Sequence, residues 1–375
     1  MLTRSLESGG AEVQLASLAT GLPRDRFEVT VLCFYEIGSL LDPLRDAGIR
    51  VIALKKRGRW DILRFFINLL RQLRRLQPDV IHAFLGPPNV LAALAKPFLP
   101  GTRIIWGIRA SAMDLEHYDA TRRLTLMAER WLSRYADFIV ANSVAGRDHV
   151  RGHGFPDRLL TVVSNGIDTA RFGRDETARV AVRNDWGVAP ADCLIGLVGR
   201  LDPKKDHETF LRAAALLLKT NGAVRFVCIG SDGLSDQEKL HALAIKLGVA
   251  DHLIWAGHRT DLPLVLNALD IHCSASAFGE GFSNAVAESM AAGIPNVVTD
   301  VGDSARIVGD LGKIAPPGDP AALARACGEL IALGESGRRA LGDRCAARIE
   351  AEFSRPKLIK QMAKIYRDQV ESKPS

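Results

Sequence analysis

Two carboxylates, Glu280 and Glu288, stand on either side of a Gly-Phe-Ser turn in the stretch FGEGFSNAVAESMAAG, residues 278–293. The turn and the residue after it (Gly281, Phe282, Ser283, Asn284) should open a helix. An open helix N-terminus presents unpaired backbone N–H groups and the positive end of a macrodipole, which together bind phosphate without a metal. Gly281 has no Cβ, so a ligand can approach its backbone closely. With the helix starting near Ser283, Glu288 lies roughly 7 Å along it at ~1.5 Å per residue, about the reach from a phosphate to a ribose. Glu280 stays on the loop and faces the other way. One carboxylate can then accept hydrogen bonds from a ribose and the other from a sugar, with a diphosphate between them. The competing reading is an ordinary amphipathic helix with a solvated glutamate on its loop.

A second cluster lies upstream, in IGLVGRLDPKK at 195–205. The apolar run 193–198 reads as a buried strand, and Arg200 and Lys205 follow its carboxyl end, where open α/β sheets bind ligands. An arginine can fork two phosphate oxygens, and a lysine adds a point charge. The alternative is a solvated basic loop.

These residues need a scaffold, and the chain supplies alternating strands and helices. Strands are expected at 28–33, 49–54, 79–83, 103–107, 137–141 and 160–163 in the first half. In the second half they are expected at 194–198, 224–229, 253–256, 270–274, 296–299 and 313–315. Such alternation means parallel sheets with crossover helices. At 375 residues the chain is too long for one ordinary core. Its composition is that of a globular protein. No apolar run reaches the ~20 residues of a membrane-spanning helix, and the start MLTRSLESGG lacks a signal-peptide core. The six cysteines are scattered without zinc spacing, and four of them (Cys33, Cys193, Cys228, Cys273) fall in expected strands as buried thiols.

Taken together, these segments resemble the retaining glycosyltransferases of group 1, or family 4. The resemblance rests on Glu280 and Glu288 with seven residues between them, followed by SMAAGIPNVVTD. It extends to SGGAE at 8–12, PDVIHAF at 78–84, SNGIDTARF at 164–172 and the segment from Val301. It implies a GT-B fold, α/β with two facing Rossmann-like domains. Residues 1–168 would bind the acceptor, 169–354 the nucleotide-sugar donor, and a terminal helix in 355–375 would return to the first domain. It further implies a same-face displacement in which the departing diphosphate takes the acceptor's proton. Arg200, Lys205 and Glu280 would then serve the leaving diphosphate and the transferred sugar. Gly10, Arg259, Gly281, Phe282, Ser283, Asn284 and Glu288 would line the donor. Arg259 belongs to the turn 257–261, which meets the base in relatives; a turn capping the next helix through Thr260 or Asp261 is the alternative.

Two departures stand out. The first strand, about residues 1–6, is short and carries a Thr and an Arg; the expectation is a start partway through that strand, with a divergent strand as the alternative. A central strand cut short leaves ladder groups unpaired. In WGIRASAMDLEHY, from Trp106, Arg109 stands where many relatives place a histidine, and His117 is eight residues on. Arginine is no base at neutral pH, so Arg109 is placed on the acceptor side or at the β-phosphate. His82 has two readings: an acceptor-side residue facing the cleft, or a packed core histidine.

The net charge of +6 is uneven. Lys55, Lys56, Arg57, Arg59, Arg64, Arg71, Arg74 and Arg75 crowd one segment with Trp60, Phe65 and Phe66, a face suited to anionic lipid. No nucleic-acid motif accompanies it. The expected function is a retaining hexosyltransferase using a nucleotide sugar, UDP-sugar favoured over GDP-sugar, on a glycolipid or polysaccharide acceptor. No cofactor and no metal are expected. The expected location is cytoplasmic or peripheral on the inner membrane face. A sugar-nucleotide 2-epimerase and a non-catalytic nucleotide-sugar binding protein are the rivals.

Overall fold

The structure is a computed structural model that describes residues 1–7, 9–58, 60–109, 127–230 and 234–372. Ser8, Arg59 and His117 therefore lie outside the described residues. The chain forms two compact units, Met1–Gly166 with Arg355–Ser375, and Ile167–Ser354. The first boundary falls two residues before the expected 168/169, and the terminal helix belongs to the first unit.

The first unit is built on a parallel sheet of order β3-β2-β1-β4-β5-β6-β7. Its strands are β1 (Leu2–Thr3), β2 (Thr30–Cys33), β3 (Arg50–Ala53), β4 (Val80–Phe84), β5 (Arg103–Ile108), β6 (Phe138–Ala141) and β7 (Leu160–Val162). Each expected strand is present. Both faces are covered, as a parallel sheet requires. Leu15, Leu18, Leu44, Leu358, Met362 and Tyr366 pack on one face. Phe65, Leu69 and Leu73, at helical spacing on Leu63–Leu76, pack on the other.

The central strand β1 is two residues long. Leu2 pairs with Leu32 and with Ala83, and the Met1 amine donates to the Thr30 carbonyl at 2.7 Å. A cavity of about 430 Å³ lies below it, lined by Met1, Phe27, Thr30, Ile81 and Tyr366 among others. This cavity sits at the amino ends of β2 and β4. Ligands of open α/β sheets bind at the carboxyl ends, so it is not the candidate site.

The second unit has a parallel sheet of order β10-β9-β8-β11-β12-β13. Its strands are β8 (Cys193–Val198), β9 (Val224–Ile229), β10 (Leu253–Gly257), β11 (Ile271–Ser274), β12 (Asn296–Thr299) and β13 (Lys313–Ala315). Strand order reverses between β8 and β11. Loops leaving those two strands diverge to opposite faces and open a crevice at their carboxyl ends. One face is covered by Val182, Val286, Met290, Ile307, Ile349 and Phe353, the other by Phe210, Leu211, Leu217, Leu323 and Leu330. Cys33, Cys193, Cys228 and Cys273 lie in strands as buried free thiols.

Candidate active site

The crevice between β8 and β11 brings together Lys205 and Glu280, two of the charges the sequence singled out in this unit. After β8 the chain makes a short turn, Pro203–Lys205, held at each end by an aspartate. The Asp202 carboxylate accepts from Lys204 N at 3.0 Å, and the Asp206 carboxylate accepts from Thr209 N at 3.0 Å to cap the helix His207–Leu218. Asp206 adopts φ +49°, a conformation uncommon outside glycine and tolerated best by Asp and Asn. Lys205 is thereby fixed rather than free. Its Nζ donates to Glu280 Oε1 at 2.6 Å, and Ser276 Oγ donates to the same oxygen at 3.1 Å. Ala277 N donates to the Lys204 carbonyl at 2.8 Å and ties the loop after β11 to the loop after β8.

Glu280 is buried, with 6% of its surface exposed. Burial pushes its carboxyl up, but the Lys205 and Lys204 charges, with the Lys205 and Ser276 hydrogen bonds, outweigh that and hold it below the usual range. It is an ionised, engaged carboxylate, suited to accepting hydrogen bonds from a sugar and ill suited to taking a proton. The backbone behind it is supported by Gly302, whose φ is +64° and where a Cβ would come within 2.3 Å of the Glu280 carbonyl oxygen. Asp303 N donates to the Gly281 carbonyl at 3.0 Å.

The helix Asn284–Ala291 starts where the sequence placed it, with Ser283 as N-cap residue. Ser283 makes no side-chain cap, and its buried Oγ has no partner among the described residues. The first-turn amides are therefore not satisfied by the cap side chain, as an anion site requires. Glu288 lies in the same helix. Burial pushes its carboxyl up to about 7, opposed by the Arg171 charge.

Other expected residues are placed differently. Arg200 has a side chain 67% exposed and, among the described residues, pairs with Asp202 at 3.4 Å, so it does not join the Lys205–Glu280 pair. Arg259 forks Asp261 at 2.8 and 2.6 Å. Asp261 precedes the helix Leu262–Leu266 but makes no side-chain cap, so its carboxylate holds Arg259 instead. In the first unit Gly10 opens the helix Gly10–Gly21, and Arg109 follows the carboxyl end of β5. His82 sits mid-strand in β4, buried, its Nδ1 2.7 Å from the Tyr366 hydroxyl and its ring against Phe84. That is the core-histidine arrangement rather than a residue at the strand's end. Sequence reasoning missed Ser276 and Gly302. No motif marks the serine, and the glycine follows the next strand, so only folding brings it behind Glu280.

The comparisons with known proteins bear on this geometry. Residues 192–332 match the family model for glycosyl transferases group 1, and residues 8–171 match that for glycosyltransferase family 4. A D-inositol 3-phosphate glycosyltransferase of Acidothermus cellulolyticus is 33% identical over 98% of this chain and 84% of its own length. The chain belongs to the group 1 glycosyltransferases. A second D-inositol 3-phosphate glycosyltransferase, from Salinispora tropica, is 30% identical over 65% of the chain, but the match spans only 54% of that relative. Among solved structures, Anabaena Alr3699/HepE in complex with UDP superposes with a TM-score of 0.86 at 22% identity, covering 98% of both chains. WaaG, a glycosyltransferase involved in lipopolysaccharide biosynthesis, gives a TM-score of 0.73 at 15% identity over 98% of this chain and 99% of its own. The two parallel-sheet units and these neighbours establish the fold of this group 1 glycosyltransferase as GT-B. Among the described residues no helix is long and apolar enough to cross a membrane, and no three His, Cys, Asp or Glu side chains cluster as metal ligands.

Proposed function

We propose that this chain is a retaining hexosyltransferase that moves a sugar from a nucleotide diphosphate sugar to a hydroxyl of a glycolipid or polysaccharide. The observation that carries the reading is the Lys205–Glu280 pair at the start of the helix Asn284–Ala291, with Glu288 further along the same helix. Lys205 and the first-turn amides supply positive potential for a diphosphate. Glu280 accepts from hydroxyls of the sugar, and Glu288 from the ribose diol. Stabilising the departing diphosphate and orienting the two substrates is then the protein's main contribution. Arg200, exposed on its loop, can add a second phosphate contact once a donor is bound. The donor is a UDP-sugar: Alr3699/HepE has been solved with UDP and with UDP-glucose. Relatives named as a lipopolysaccharide core mannosyltransferase and a diphospho-undecaprenol N-acetylgalactosaminyltransferase support a lipid-linked or polysaccharide acceptor. The test is a panel of UDP-, GDP- and ADP-sugars scored by thermal shift, followed by NMR of the product's anomeric proton. A product of inverted configuration, or no stabilisation by any nucleotide, refutes the reading.

The same proposal includes an anionic membrane surface as partner. On the helix Leu63–Leu76 and the turn before it, Trp60 is 86% and Leu63 74% exposed, with Ile62 and Ile67 also exposed. Arg64, Arg71, Arg74 and Arg75 share that exposed side, and residues 62–76 contain no Asp or Glu. Apolar side chains interleaved with unopposed cations suit the headgroup region of an anionic bilayer.

A further inference from the structure

We propose that Arg109 binds an oxyanion, phosphate or carboxylate, carried by the acceptor at the carboxyl end of β5. The inference rests on the reading of the first unit as the acceptor-binding unit and adds the chemistry of what it accepts. Arg109 leaves β5 at the end of the sheet where ligands bind. Its guanidinium is held from two sides. Nη1 donates to Asn165 Oδ1 at 3.0 Å, and the group lies over the Phe84 ring at 4.8 Å from its centre. Neither neighbour carries charge. Among the described residues no carboxylate pairs with Arg109, and its buried Nε has no hydrogen-bond partner. Burial lowers its pKa to about 10, with Tyr366 and Glu12 only partly opposing. Its charge is felt below it: after burial itself, Arg109 is the next cause that keeps His82 well below the usual histidine range.

A shielded cation that no described carboxylate pairs with is costly, and such a group marks a candidate site for a ligand's anion. Arginine suits that task because its planar fork matches a carboxylate or phosphate edge. Among the described residues, Glu12, in the first turn of the helix Gly10–Gly21, is the carboxylate whose charge reaches Arg109. It senses Arg109 only at a distance, and burial raises its own carboxyl above the usual range. The arrangement therefore leaves a fixed, partly desolvated guanidinium for an incoming anion.

The test uses the full-length protein saturated with UDP, so that the phosphate site of the second unit is filled. Inorganic phosphate, acetate and chloride are titrated at equal ionic strength and read by thermal shift and calorimetry. The wild type is expected to bind phosphate or acetate about 10- to 100-fold more tightly than Arg109→Gln, the range for a hydrogen bond to a charged group. Arg109→Lys should retain part of that affinity, and UDP affinity should be unchanged in both variants. The phosphate and acetate arms separate a phosphorylated from a carboxylated acceptor. Equal anion binding in wild type and Arg109→Gln, or none by the wild type, overturns the proposal. Loss of UDP affinity in Arg109→Gln assigns the residue to the donor and overturns it as well. If the wild type fails to bind UDP, the donor reading fails, while the anion titration on the free protein still decides Arg109.

Discussion

Lys205→Ala removes the cation that compensates a buried carboxylate, and its consequence should depend on pH. Removing one partner of a buried ion pair costs about 3–5 kcal/mol. Here the side chains are 17% and 8% exposed for Lys205 and Glu280, and the Ser276 bond survives. A loss of about 2–3 kcal/mol near pH 8 is therefore expected in the second unit. In the wild type Glu280 titrates below the ordinary value of 4.5, so its stabilisation is present above that value and lost as pH falls through the folded pKa. Without Lys205, burial dominates and raises the folded pKa above 4.5. Stability then declines as pH rises from 4.5 through the raised value. The difference between wild type and variant should thus be small near pH 4 and grow to its full size by pH 8. Adding Glu280→Gln to Lys205→Ala removes the orphaned charge and should recover about half of the loss at pH 8. Thermal unfolding of the three proteins from pH 4 to 8 measures this. A difference that does not vary with pH, or no recovery in the double variant, refutes the reasoning. In the transfer assay Lys205→Ala and Glu280→Ala should each lower kcat by about 10²–10³.

Glu288, raised to about 7 by burial, should bind a ribose diol best when ionised; UDP affinity should rise between pH 6 and 8 and lose that dependence in Glu288→Gln, as calorimetry would show. Gly302→Ala places a Cβ 2.3 Å from the Glu280 carbonyl at φ +64°, so about 1–3 kcal/mol of strain should displace the 280–281 loop. Donor KM should rise while the far-UV circular dichroism stays native. Transfer should continue in EDTA, because Lys205 and the helix start already supply the positive potential; full loss restored by Mg²⁺ or Mn²⁺ would contradict this. The protein should co-sediment with anionic but not neutral vesicles and be released by salt, each exposed cation contributing about 1 kcal/mol. Trp60→Ser with Arg71→Ser should weaken that binding, and equal binding to both vesicle types would exclude electrostatic docking.

The strand positions and the start of the helix at Asn284 were legible in the sequence because they depend on local patterns: apolar runs for buried parallel strands, and a glycine-bounded turn before a small-residue helix. The placement of Lys205, Glu280 and Glu288 was legible for the same reason, since each lies a fixed distance from a strand or helix end. Three features depended on contacts between segments far apart in the chain. The direct Lys205–Glu280 bond exists because β8 and β11 are neighbours at the point where strand order reverses, a pairing that no spacing along the chain specifies. His82 was undecided until the terminal helix placed Tyr366 against its ring. Arg109 could be seen to occupy a histidine's place, but that no carboxylate among the described residues pairs with it emerged only with its surroundings, because burial and pairing are properties of the folded neighbourhood and not of the residue.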